Sequence, residues 1–134
     1  MDLLLEREDL ERILSCLKRM LGRSGAQCVL FIDRSGQLIS SFGNRPEEDM
    51  VALAALTAAD FGATAAIANM LGEKDFSLLF HKGKEENIHF SSFGEEFILI
   101  TIFNNSTSLG LIRLEVERTT KELSRVFSMM GKPV

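Results

Sequence analysis

Residues 50–71 hold nine of the chain's ten alanines and, apart from Asp60, no charged side chain. Alanine is the best helix former, and the run closes at Gly72, so the segment is predicted to be one long helix. At 100° per residue, Leu53, Leu56, Ala63, Ile67, Met70 and Leu71 fall on one side, and Ala54, Ala55, Ala58, Gly62, Ala65 and Ala66 on the other. A helix resting on a sheet and open to water carries Lys and Glu outside, and this one carries none. It is therefore expected to be covered twice. Ala58, Gly62 and Ala66, at steps of four, form a shallow groove that a second backbone can approach closely. The cover is either another helix of the same domain or a surface of another protein. Asp60 has no evident partner, and a sheet edge or a second subunit would each supply one. The run is also long enough to span a membrane. Alanine adds little to insertion, however, Asp60 would cost roughly 2.5–3.5 kcal/mol at the bilayer centre, and no Lys/Arg asymmetry or aromatic belt flanks the segment.

The remaining pattern places this helix in an α+β fold. Leu10, Ile13, Leu14, Leu17 and Leu21 recur at three and four, predicting a helix over residues 2–21 that Gly22 to Gly25 stops. Residues 26–33 and 37–42 read as two strands around Arg34-Ser35-Gly36. There Asp33 accepts from the following backbone N–H groups and Gly36 takes a positive φ. Residues 76–82, 87–93 and 97–103 read as an antiparallel meander that carries six of the ten phenylalanines. The stretch from Phe97 to Phe103 is apolar on both faces, which marks it as a central strand covered by helices on both sides. The strongly apolar run at residues 76–80 is either central or completed by a partner. A weaker helical pattern from Leu111 to Phe127 ends at Gly131. The predicted order is α-β-β-α-β-β-β-α in one domain, residues 1–134, without repeats.

Charge and motifs narrow the function. A formal net charge of −4 excludes the basic face of a nucleic-acid binder and disfavours anionic lipid. Residues 1–5 run straight into Glu6, Arg7, Glu8 and Asp9, unlike a signal peptide, so a cytoplasmic location with free Cys16 and Cys28 is expected. Neither G-x-x-x-x-G-K-[ST] nor G-x-G-x-x-G occurs. Asp33-Arg34-Ser35-Gly36 has the D-x-x-G spelling of GTPases but no phosphate loop upstream, which makes it a hairpin turn. His81 and His89 fall on opposite faces of their strands by period-two alternation, so no shared metal is expected. Ser91, Ser92 and Ser106 have no local base, and Lys84-Glu85-Glu86 and Glu95-Glu96 read as solvated turn charges. No catalytic site, cofactor or metal is predicted.

Three stretches, in this element order, carry a resemblance: Cys28-Val29-Leu30-Phe31-Ile32-Asp33-Arg34-Ser35-Gly36; Ile67-Ala68-Asn69-Met70-Leu71-Gly72-Glu73; and Ser108-Leu109-Gly110-Leu111-Ile112-Arg113. With them the chain resembles the roadblock family of dynein-light-chain-like proteins over nearly its full length, most closely the bacterial MglB branch. The resemblance implies a roadblock/longin-like five-stranded sheet with the second helix on one face and the terminal helices on the other. It also implies a homodimer whose second helices lie side by side and whose third strands pair. The dimer interface then takes in Phe76, Leu78, Leu79, Phe80, Asp60 and Phe61. A small Ras-like GTPase of the MglA type is the implied partner, seated on a platform of Ala54, Ala55, Ala58, Gly62, Ala65 and Ala66, with its GTP hydrolysis stimulated. Activation in this branch works through the GTPase's own groups, so none of Arg34, Arg45 and Arg113 is assigned as an arginine finger. The sequence stops soon after its last helix, at Val134, so activity that relatives owe to a long C-terminal tail is not carried over. Two alternatives stand beside this reading. One is a roadblock scaffold or adaptor without activating power; the other is a small-molecule sensor with a pocket lined by Phe90, Phe93 and Phe103.

Overall fold

The strand from Phe97 to Asn104 is buried at every residue but the last, so both its faces demand cover. The computed structural model describes residues 5–73 and 78–132, with the side chains of Leu78 and Leu79 outside that description. Its elements are α1 (Arg7–Ser24), β1 (Cys28–Asp33), β2 (Leu38–Gly43), α2 (Glu47–Met70), β3 (Leu78–Lys82), β4 (Glu86–Phe93), β5 (Phe97–Asn104) and α3 (Leu109–Met129). The five strands form one antiparallel sheet in the order β2-β1-β5-β4-β3, with β5 at its centre. α1 and α3 cover one face and α2 covers the other. This is the α-β-β-α-β-β-β-α arrangement of the roadblock/longin fold.

Local chemistry sets the boundaries. The Glu6 backbone N–H donates to Asp9 Oδ2 at 3.0 Å and starts α1 there, several residues later than the periodicity suggests. The same helix runs through Gly22 and ends at Gly25, whose φ of 72° lets its N–H reach the Leu21 carbonyl. Gly22 is thus helical rather than a stop. In the β1–β2 turn, Asp33 Oδ1 accepts from the Ser35 and Gln37 backbone N–H groups at 3.0 and 2.9 Å, and Gly36 sits at φ 96°. A bulge in β2 opposite Phe31 and Ile32 accommodates the three-residue loop.

On the α1/α3 face, Phe31, Phe93, Phe97 and Phe127 pack with ring centroids 5.0–6.2 Å apart, Phe31 and Phe97 stacked and the rest tilted or edge-on. Across the two helices Arg23 meets Glu115 at 2.7 Å and Glu122 at 2.9 Å, while Arg19 meets Glu122 at 2.9 Å. Glu115 is nearly sealed from water and also meets Arg118 at 3.3 Å, so removing Arg23 would leave a buried carboxylate with its more distant cation only. On the opposite face Met50, Ala54, Ala58 and Phe61 pack on Cys28, Leu30, Ile32, Phe90, Ile98, Ile100 and Ile102. Cys16 and Cys28 are both free and buried; burial pushes the Cys28 thiol up to about 11.

Two features of this packing are open to measurement. His89 lies wholly buried under the α1/α3 layer, with neither ring nitrogen bonded, and its pKa is lowered to about 4 by burial and then by the nearby Arg113 charge. Between pH 6.5 and pH 4 the unfolded chain takes up a proton there that the folded chain refuses. Stability is therefore full above pH 6.5 and falls by about 3 kcal/mol on acidification through that window. Urea unfolding at a series of pH values should show this slope, and H89L should flatten it. The second feature is the seat of α2. A54L should overpack the sheet and cost about 1–3 kcal/mol in urea unfolding, whereas V51A, at a half-exposed position of the same helix, should stay within about 0.5 kcal/mol.

Candidate functional site

α2 starts at Pro46, in extended conformation, followed by Glu47, Glu48 and Asp49 at the positive end of the helix. Met50, Ala54, Thr57, Phe61 and Ala68 recur at helical spacing and are buried with Ala58 beside them, and Met50, Ala54, Ala58 and Phe61 pack on the sheet. The small residues Ala54 and Ala58 face the sheet, and of the larger residues Leu53 alone is partly buried against it while Leu56, Ile67, Met70 and Leu71 stay outside. The physical reason is the β1–β2 turn. A Cβ placed on Gly36 would stand 3.1 Å from Ala55 Cα and 3.5 Å from both the Ala54 carbonyl oxygen and Ala58 Cβ. The hairpin tip presses on the helix backbone, and only small side chains on α2 permit that approach. The signal in the sequence was Phe61, which shares a face with Ala54 and Ala58 at steps of seven and three and so marks that face as inward. Arg34 lays its guanidinium 5.1 Å above the Phe61 ring and closes this end.

The large apolar side chains are left outside. Leu56 is 69% exposed, Ile67 59%, Met70 87% and Leu71 76%. Between them lie Ala52, Ala55, Ala59, Gly62, Ala63 and Ala66, all exposed. A Cβ on Gly62 would meet nothing within 4 Å. α2 is long and apolar enough to cross a membrane by length and composition, yet six of its residues are spent on the sheet.

Asp60 finds its partner at the sheet edge: its Oδ2 lies 3.1 Å from Nε2 of His81 on β3. This fixes an orientation. Leu56 and Ile67 lie within about 40° of Asp60 around the helix, so they stand on the flank of α2 that looks toward β3. Beyond β3 no described strand pairs, and its outer backbone groups form an open edge. An apolar helix flank and a free strand edge therefore adjoin.

Several expected site residues need correction or placement. Ala54 and Ala58 are buried beneath α2 and cannot belong to an outward platform; Ala55, Gly62 and Ala66 are exposed and Ala65 half-buried. Phe61 is enclosed by this chain's own core and offers no surface for a second subunit. Phe80 is half-buried and stacks on Phe103, on the α1/α3 side. Leu78 and Leu79 lie in β3, their backbones paired in register with Ser91 and Phe90, and Phe76 lies outside the described residues. Phe90 packs on the α2 face while Phe93 and Phe103 pack on the other, so the three cannot line one pocket. His81 and His89 also fall on opposite faces, set by their pairing with Ile88 and Thr101. An open polar depression of about 400 Å³ lies between the β1–β2 and β4–β5 turns, lined by Asp33, Arg34, Ser35, Gln37, Glu95 and Glu96. Among the described residues no three His, Cys, Asp or Glu side chains gather as metal ligands would.

Against known proteins, the family model described as Roadblock/LC7 domain matches residues 13–103. MglB of Myxococcus xanthus superposes with a TM-score of 0.86 at 34% identity, covering 95% of this chain and 96% of that one. The gliding protein MglB of Thermus thermophilus gives 0.85 at 28% identity over 96% and 97%. A structure described as MglB with a tetrameric arrangement gives 0.86 at 28% identity over 96% of each chain. A comparison with curated protein sequences finds no match. With the family model spanning well over half its length, the chain belongs to the Roadblock/LC7 family.

Proposed function

We propose that this protein is a homodimeric, cytoplasmic regulator that binds a small Ras-like GTPase of the MglA type and stimulates its GTP hydrolysis. The outward apolar face of α2 carries this reading. Leaving Leu56, Ile67, Met70 and Leu71 in water forgoes roughly 1.5–3 kcal/mol for each side chain that burial would return. A second copy placing its α2 alongside and its β3 against the free edge covers the Leu56 and Ile67 flank and pairs the open strand at once. Ala55, Gly62 and Ala66 remain on top of the paired helices as a smooth platform. The likeness to MglB proteins supports this class of partner, and the exposed small residues of α2 support this seat for it.

α2 contains no Lys or Arg from Glu47 to Met70, so the platform has no cation to insert into a nucleotide site. Activation on it acts by ordering the GTPase's own catalytic groups. The same absence favours the second reading, an adaptor that docks the GTPase without accelerating it.

Light scattering at micromolar concentration should return twice 14.9 kDa, and a monomer would remove the strand-edge and helix-flank pairing. In single-turnover assays the GTPase should hydrolyse GTP at least about 10-fold faster with this protein present, a barrier change of about 1.4 kcal/mol. Binding without acceleration selects the adaptor. G62R should retain the fold, because the site is open, and lose GTPase binding. Unchanged binding by that variant would dismiss the platform.

A further inference from the structure

β3, β4, β5 and the first turn of α3 enclose an open cleft of about 390 Å³, lined in part by Phe80, Lys82, Asn87, Phe103, Asn105 and Leu109. It lies on the α1/α3 face: Lys82, Asn87 and Phe103 stand in one row across the sheet, and Phe103 packs in that layer. The floor is apolar, with the Phe80 and Phe103 rings stacked 6.1 Å apart. The opposite wall is polar and is organised by Asn105. Its Oδ1 accepts from Asn87 Nδ2 at 3.1 Å and from Lys82 Nζ at 3.5 Å, and its Nδ2 donates to the Lys84 carbonyl at 2.9 Å. The lining holds one cation, Lys82, and no acid. α3 opens on this cleft without an acidic residue in its first turn, unlike α1 and α2. Ser108 Oγ takes the Leu111 N–H, and the Leu109 and Gly110 N–H groups have no acceptor within the helix. Positive charge and backbone donors therefore meet here with nothing negative opposite them. Asn87 is an independent mark of a ligand. It lines the cleft, is 2% exposed, donates through Nδ2 to Asn105 and to the Phe103 carbonyl, and leaves Oδ1 without a donor. An amide oxygen buried unpaired is costly, so its place beside an open cleft calls for a donor from outside the chain.

We propose that this cleft binds a small organic acid. Its carboxylate meets Lys82 Nζ and the Leu109 and Gly110 N–H groups, an N–H or O–H next to that carboxylate donates to Asn87 Oδ1, and an apolar group lies on the Phe80–Phe103 stack. Each part of the ligand answers one part of the wall. A simple anion leaves the aromatic floor uncovered, an uncharged molecule leaves Lys82 and the helix end unanswered, and an acid without the donor leaves Asn87 Oδ1 unpaired. The volume falls at the lower end of the roughly 300–1,000 Å³ usual for ligand pockets, which suits a small molecule rather than a chain segment. The cleft lies across the sheet from α2, so its occupancy involves none of the residues assigned to the GTPase platform.

N-acetyl-L-phenylalanine carries the carboxylate, the adjacent N–H and the apolar ring, and serves as the probe. Titrated into the full-length protein at neutral pH and followed by amide NMR spectra, it should bind with a Kd of about 1 mM. The amide signals of Lys82, Asn87, Leu109 and Gly110 should move while those of α2 stay in place. Its methyl ester, which lacks the charge, and 3-phenylpropanoate, which lacks the N–H, should each bind at least about 5-fold more weakly. K82Q, at an exposed position, should keep the spectrum of the folded protein, weaken the probe about 10-fold and leave the ester unaffected. Asn87 is buried and its replacement endangers the fold, so the comparison of the two acids reads its contact without a substitution. Equal binding of the probe, its ester and 3-phenylpropanoate overturns the proposal. So do equal binding of inorganic phosphate, shifts centred away from the cleft, or no shift at millimolar probe. None of these outcomes bears on the GTPase reading, because no GTPase is present.

Discussion

The arrangement depends on a central strand that is buried on both faces. β5 can be dry on both sides only if helices lie above and below the sheet. Five strands at about 4.8 Å spacing make a surface roughly 20 Å wide, and a helix with its side chains is about 10 Å across. Two helices, α1 and α3, suffice for one face. On the other, α2 alone spans about half the width, coming nearest to β1 and β2 while its side chains also pack on β4 and β5. The shortage of cover falls on the β3 side, where a single described polar link, Asp60 to His81, ties helix to strand. The open flank is thus a product of counting elements, not of any one residue.

The element order, the Asp33 turn, the central position of β5 and the opposite facing of the two histidines were legible because each rests on local periodicity or turn chemistry. Period-two alternation through a short loop leaves no freedom in how His81 and His89 face. The register confirms it through Ile88 and Thr101. Asp33 and Gly36 act within four residues, so no distant element is needed to specify them.

The facing of α2 was illegible for the opposite reason. A helix with alanine on both sides has almost no amphipathic contrast, and size is a poor guide when the seat is a turn whose glycine would hold a Cβ only 3.1 Å from the Ala55 Cα. That turn is some twenty residues upstream, and its approach shows only in three dimensions. Phe61 was the one residue whose side would have corrected the assignment, since a phenylalanine among alanines on an inward face fills the gap that they leave. The end of α1 differs from the expectation on a smaller scale. An isolated glycine such as Gly22 is tolerated inside a helix that tertiary contacts already hold.

The same close seat explains why the outer side of α2 stays exposed. Its inner face is locked by Gly36 below, by Phe61 under the Arg34 guanidinium, and by Asp60 at the β3 edge. A helix held at these points cannot repack to hide Leu56 and Ile67, so their exposure is imposed by the fold. Rigidity also lowers the entropy that a partner's docking must cost, because few groups on the α2 side remain to be ordered. Alanine and glycine lose no rotamers on contact, and the large apolar residues flank them rather than stand in the way. Under the proposed function, such a helix presents a fixed surface against which the mobile parts of a partner are ordered.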